Sequence, residues 1–303
     1  MRQFCINFIL LLVSTAVFSQ KALNIYDISQ QQLHLMQEYQ KADSLTRSKV
    51  FIKSLYNPYQ QFWNGYLGKA DDVAGWLNTA MPKLQEWKAK NIKIDGKKLQ
   101  VQLRSTAKEM TKLTGYAPQG NWYIVYGPAW TDLGGLGDYA MLIDLAHASN
   151  SSNDKIAQMF PHELTHQIMA NVNKHKDTTA LSSIIGEGFA VWMNQKYWKQ
   201  KFTLAQHLGY SEEELKNCDS YLGKLKGFFE KNKYSTNKDM IDVFRNRGAK
   251  LNEKLPGAIG YYLGYKIIES YVQKNGADSW KDVFTQSPKS IYEKSGFASQ
   301  TSK

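Results

Sequence analysis

The chain has 303 residues and a formal charge of +11, with 43% apolar and 21% charged residues. This is ordinary globular usage, sufficient for one large unit or two small ones with a sizeable core. The basic balance raises nucleic acid as a partner, but the lysines are scattered in pairs such as Lys97-Lys98 and no nucleic-acid motif appears, so it reads as a solvated surface.

The first twenty residues read as a secretory signal peptide. Arg2 gives a positive start, Cys5 to Phe18 run without charge, and Val17 and Ser19 fit the small-residue pattern before a cut. The run is too short to span a bilayer comfortably, and an uncleaved anchor is the alternative. Cys5 lies too early to be a lipoprotein cysteine at the cut. Export to the periplasm or medium follows, with no stable membrane insertion afterwards. Cys218 is then the single remaining cysteine and makes no internal disulfide. It reads as structural.

From 26 to 56, Leu33, Met36, Tyr39 and Leu45 recur at helical spacing, and Asn57-Pro58 breaks the run. A second helix is expected over 70–90, kinked or split at Pro82, and a third over 97–114, ending at Gly115. Asn121 to Tyr126 and Tyr139 to Ala146 have strand character, separated by a Gly-rich loop from Gly127 to Asp138. Helices are expected again over 161–173, 180–198, 211–231, 237–248 and 258–274. The reading is an α+β, mostly helical chain with a small sheet.

The sharpest chemical signal is His162-Glu163-Leu164-Thr165-His166. Residues four apart share a helix face, so both imidazoles reach one Zn²⁺ while Glu163 reaches a metal-bound water. Two surface histidines are the bland alternative, but Met159, Phe160, Leu164, Ile168 and Met169 describe a buried helix. A third ligand follows from spacing. Met169 and Val172 occupy the positions where one class carries Gly and His, which excludes that class. Glu187 stands 21 residues past His166, within an apolar run and between Gly186 and Gly188. A bare carboxylate there calls for a partner, and a metal ion is a good one. The competing explanation is a Glu stabilised at a helix start.

With these motifs the chain resembles the gluzincins, the HExxH-plus-Glu zinc peptidases, and a little-characterised bacterial group of predicted zinc-dependent proteases. HELTH at 162–166, EGFA at 187–190 and GYYLGY at 260–265 carry the resemblance, which covers about 120–275. It implies a zincin-like region over 119–303, after a signal peptide (1–20) and a helical N-terminal region (21–118), the two expected to form one compact unit. It implies one Zn²⁺ per chain on His162, His166 and Glu187. It also implies peptide hydrolysis, with Glu163 as general base and Tyr261 as oxyanion donor, or Tyr265 in second place. Where some gluzincins carry an acidic residue four positions past the Glu ligand, this chain has Val191, so Asp144 or a backbone carbonyl is expected to orient a histidine. The strand over 139–146 is expected at a sheet edge, pairing with extended substrate. His147 reads as a surface residue at its end. A zinc-stabilised non-catalytic binding protein and a zinc amidase of cell-wall peptides are the alternative functions. The expected partner is a peptide or protein substrate; the oligomeric state is left open.

Overall fold

The computed structural model describes residues 23–136, 140–175 and 177–299. The expected signal peptide, Asp138 and Tyr139 lie outside the described residues. Among those described, the strands form one sheet in the order β1-β2-β4-β3, from β1 (Leu23–Asp27), β2 (Gly120–Val125), β3 (Leu133–Gly135) and β4 (Ala140–Asp144). β1 and β4 run parallel to β2, and β3 is antiparallel to β4.

Before β2 come α1 (Ser29–Glu38), α2 (Ser44–Phe51), α3 (Gln60–Tyr66), α4 (Ala70–Ala80), α5 (Leu84–Lys93) and α6 (Gly96–Thr114). After β4 come α7 (Asn153–Gln158), α8 (Phe160–Val172), α9 (Ala180–Trp198), α10 (Leu204–Leu208), α11 (Glu212–Ser220), α12 (Leu222–Asn232), α13 (Lys238–Arg245), α14 (Ile259–Asn275) and α15 (Pro288–Ser295). The chain is thus mostly helical with a small mixed sheet.

Three expectations need correction. The helix expected over 26–56 begins instead as β1, because the open side of β2 offers a parallel partner and pairing outweighs local periodicity. Asp27 ends the strand by accepting from the Ser29 amide at 3.1 Å, and α2 restarts where Asp43 caps the Thr46 amide at 2.9 Å. The strand over 139–146 is not an edge: β4 lies between β2 and β3. The edges are β1 and β3, the latter within the stretch expected to be a loop. The helix over 211–231 breaks at Tyr221 into α11 and α12. By contrast, the split at Pro82, the end of α6 at Gly115 (φ 81°) and the bounds of α9 fall where expected.

The sheet holds the helix that carries the histidines. Trp122 on β2 is fully buried; its ring meets Phe160 edge-on at 5.8 Å and its indole N–H donates to Gln167 at 3.1 Å. Both partners lie on α8, so one side chain fixes its distance and rotation. Burying Phe160 contributes roughly 2–3 kcal/mol. On the helices before β2, Gln32 completes the backbone of Tyr126, accepting from its N–H at 2.9 Å and donating to its C=O at 3.0 Å, while Trp87 stacks on the Tyr126 ring at 5.0 Å.

Asp144, fully buried at the end of β4, gathers the following turns. It accepts from the Gly127 and Ala129 amides at 2.7 Å, the Ala146 amide at 2.8 Å and the Tyr66 hydroxyl at 2.8 Å. The segment carrying Trp130 is therefore tied to the sheet.

α9 and α14 cross at their glycines. A Cβ on Gly188 would stand 2.0 Å from the Gly264 carbonyl carbon, and one on Gly264 would stand 1.9 Å from the Ile184 carbonyl oxygen. No side chain fits, and backbone touches backbone. This brings Glu187, one residue before Gly188, beside Tyr261, one turn before Gly264.

Two predictions follow. In chemical denaturation Gly264→Ala is expected to destabilise by about 3 kcal/mol, since backbone must separate. Gly227→Ala, on an exposed face of α12 with open space around it, is expected to stabilise by roughly 0.5–1 kcal/mol; equal effects would contradict the crossing. Asp144→Asn turns a donating NH₂ toward groups that donate, and is expected to cost about 2–4 kcal/mol and to expose 127–131 to proteolysis. An unchanged cleavage pattern would show that Asp144 does not hold this segment.

Candidate metal centre

α8 starts at Phe160 with Pro161 in its first turn, where a missing N–H costs nothing. In this first turn and the next the helix presents His162 and His166 on one face. Their Nε2 atoms are 3.1 Å apart. Glu187 reaches across from α9 and sets Oε2 3.4 Å from His162 Nε2 and 3.2 Å from His166 Nε2. Four ligands about 2.05 Å from a tetrahedral ion stand roughly 3.3 Å apart. The three atoms therefore have the spacing of three corners of a zinc site. Among the described residues this is the one His/Cys/Asp/Glu grouping with ligand spacing.

The electrostatics agree with that reading. Glu187 is 7% exposed and its Oε2 accepts no well-directed hydrogen bond, though two imidazole nitrogens are near. The three atoms lie together as a group that could hold one ion, in contact as a histidine pair and two histidine–carboxylate ion pairs. An uncompensated buried carboxylate costs several kcal/mol. Its one other cationic neighbour is Arg245, itself half-exposed, 3.5 Å from Oε1. Burial pushes the Glu187 carboxyl up, but His166 and His162 outweigh it and hold it well below the usual range. Burial works against the charged form of His166, and Glu187 reverses this and raises it. A proton on His166 and a metal ion would thus compensate the same carboxylate.

Glu163 is 8% exposed beside the pair, and burial raises its carboxyl. The Tyr261 ring lies parallel to His162 at 6.0 Å. Burial, then the Glu187 charge, push its phenol well up, so it stays protonated. Tyr265 is elsewhere: its hydroxyl donates to Gln195 at 2.8 Å and its ring meets Trp192. Of the two tyrosines, Tyr261 is the one at the site.

The orienting role expected of Asp144 is corrected, because its carboxylate is taken by the Gly127, Ala129 and Ala146 amides and Tyr66. His162 Nδ1 is buried without a hydrogen-bond partner. His147 accepts at Nδ1 from the Ser149 amide at 3.3 Å and lines the same cleft as His162 and Glu163. That cleft, about 880 Å³, also has Trp130, Asp132, Lys155, His207, Arg247 and Tyr261 on its walls.

Sequence reasoning missed His207, Arg245 and Arg247. The chain has only five arginines against many lysines, and two of them, spaced by Asn246, meet here. That scarcity was the available signal. His207 is 1% exposed, with neither ring nitrogen hydrogen-bonded. Burial, then His162, hold it down to about 4, so its imidazole is neutral.

With this geometry in place, comparison with known proteins gives one finding. No curated protein matches the chain. A family model described by gliding motility, and not by zinc proteolysis, matches the second half of the chain and overturns the gluzincin resemblance and the peptidase and hydrolase activity; it says nothing of Glu163 and Tyr261 individually. The positions of those side chains stand; their chemistry is recast below. Residues 150–299, which include the triad, His207, Arg245, Arg247 and Tyr261, match the family model described as gliding motility protein GldB.

Proposed function

We propose that this chain is an exported, non-enzymatic component of the cell envelope, acting as gliding motility protein GldB does, and built around one structural zinc ion on His162, His166 and Glu187. The envelope placement rests on the family being one of lipoproteins. Among the described residues no helix is long and apolar enough to cross a membrane.

The observation that carries the metal reading is the buried Glu187 Oε2, without a well-directed hydrogen bond, at ligand spacing from two imidazole nitrogens. A bound zinc ion would neutralise that carboxylate and tie α8 to α9. Glu163 and Tyr261 flank the side left for a fourth ligand. The arrangement of the HELTH helix under a mixed sheet with an antiparallel edge is read as zincin-like in form, serving attachment and not turnover.

The experiment is metal analysis of purified protein together with thermal unfolding. About one zinc per chain is expected, with a concentration-dependent rise in Tm, since an ion at a thousand times its Kd adds about 4 kcal/mol. Glu187→Gln and His166→Ala are expected to weaken zinc more than about a hundredfold, whereas Glu163→Gln keeps stoichiometric metal. A parent protein that takes up no zinc at neutral pH, or a Tm indifferent to zinc, would contradict the reading.

A further inference from the structure

The cleft beside the triad has a charge pattern that the metal alone does not explain. Arg247 lies on its wall, and no carboxylate pairs with it among the described residues. Its guanidinium instead lies over the rings of Tyr261 at 4.6 Å and Tyr210 at 5.5 Å. Stacking fixes the plane of a guanidinium and leaves its edge N–H groups free to form a two-pronged grip on a carboxylate. Tyr261 in turn stacks on His162, so the free edge of Arg247 lies one ring away from the metal ligands. Lys155, exposed in the lining of the same cleft, also has no ion-pair partner among the described residues.

His207 closes the floor. A neutral imidazole offers one N–H and one lone pair, and here both are buried unused, which is costly. A ligand that accepts from His207 offsets this cost. Glu163 and Asp132 are the anions of the cleft, and one oxygen of Asp132 is already occupied by the Leu133 amide at 2.8 Å. Two cations face two anions, and a divalent ion on the triad decides the sign in favour of an anionic guest.

Size and lining select the kind of guest. About 880 Å³ holds several amino-acid residues, far more than an inorganic anion. Gln158, Gln206 and Asn246 supply amides suited to a main chain, and Trp130, 72% exposed, offers a ring at the rim.

We propose that this cleft docks an acidic segment of a polypeptide partner, with Arg247 gripping a carboxylate and His207 donating to it beside the metal. The inference rests on the zinc reading above, because the ion supplies the net positive charge.

The test is calorimetric titration of zinc-loaded protein with N-acetyl-tetraglutamate amide, with the tetraglutamine counterpart, and with inorganic phosphate. The acidic peptide is expected to bind at least tenfold tighter than either, and to lose about tenfold on zinc removal. Arg247→Gln is expected to weaken it tenfold or more, Arg247→Lys by less, and His207→Phe measurably, with Tm compared to confirm that each variant folds. Equal affinity for the two peptides, phosphate binding as tight as the acidic peptide, or an unchanged affinity in folded Arg247→Gln would overturn the proposal. Zinc content is measured on the same samples. Loaded protein that does not prefer the acidic peptide overturns this inference and leaves the metal reading standing, whereas protein that takes up no zinc overturns both.

Discussion

A carboxylate held almost wholly out of water between two imidazoles sets the terms for this molecule. Glu187 has no well-directed hydrogen bond at Oε2 and only a half-exposed arginine at Oε1. A bare carboxylate there would cost more than most single interactions contribute, and His166 and His162 are what hold it charged. Everything that places Glu187 therefore bears on stability and on function together. The α9–α14 crossing at Gly188 and Gly264 places it from one side. From the other, Trp122 fixes the rotation of α8 through Phe160 and Gln167, and with it the direction of both histidines.

The same arrangement explains why a site with the letters of a protease can serve a protein of another kind. Two histidines one helical turn apart and a glutamate from the next helix are a solution to holding zinc, whatever the ion is then used for. Hydrolysis needs a defined water and a substrate path; attachment needs only that the ion lock two helices and present a charged face. Under the proposed reading the ion serves the second use. Around the triad lie an arginine stacked on two tyrosines, an unpaired neutral histidine and an exposed tryptophan, which are the features of a recognition surface.

Much of the helical frame was legible in the sequence because its signals are local. Gly115 ends α6, Pro82 separates α4 from α5, and the period of α9 is uninterrupted from Ala180 to Trp198. The triad was legible for the same reason: a four-residue spacing is a statement about one turn of helix. Features made by contact across distance were not. β1 is a strand only because β2 offers it an edge, β3 hides in a Gly-rich stretch whose pairing with β4 no local pattern announces, and Asp144 serves the backbone of 127–129 and not a histidine. His207 and Arg247 reach the cleft from α10 and from the turn after α13, elements far apart in sequence, so no spacing rule joins them to the HELTH helix. The peptidase expectation fails at a different link: a ligand pattern does not carry an activity with it.

The most direct test of the account is the zinc K-edge absorption spectrum of the loaded protein. Two imidazole nitrogens and carboxylate oxygen at about 2.0–2.1 Å, with the outer-shell scattering of histidine rings, are predicted. A shell of oxygens without imidazole scattering, or one unchanged in Glu187→Gln, would show that the ion sits elsewhere and would contradict the claim that this triad is what holds the structure's centre together.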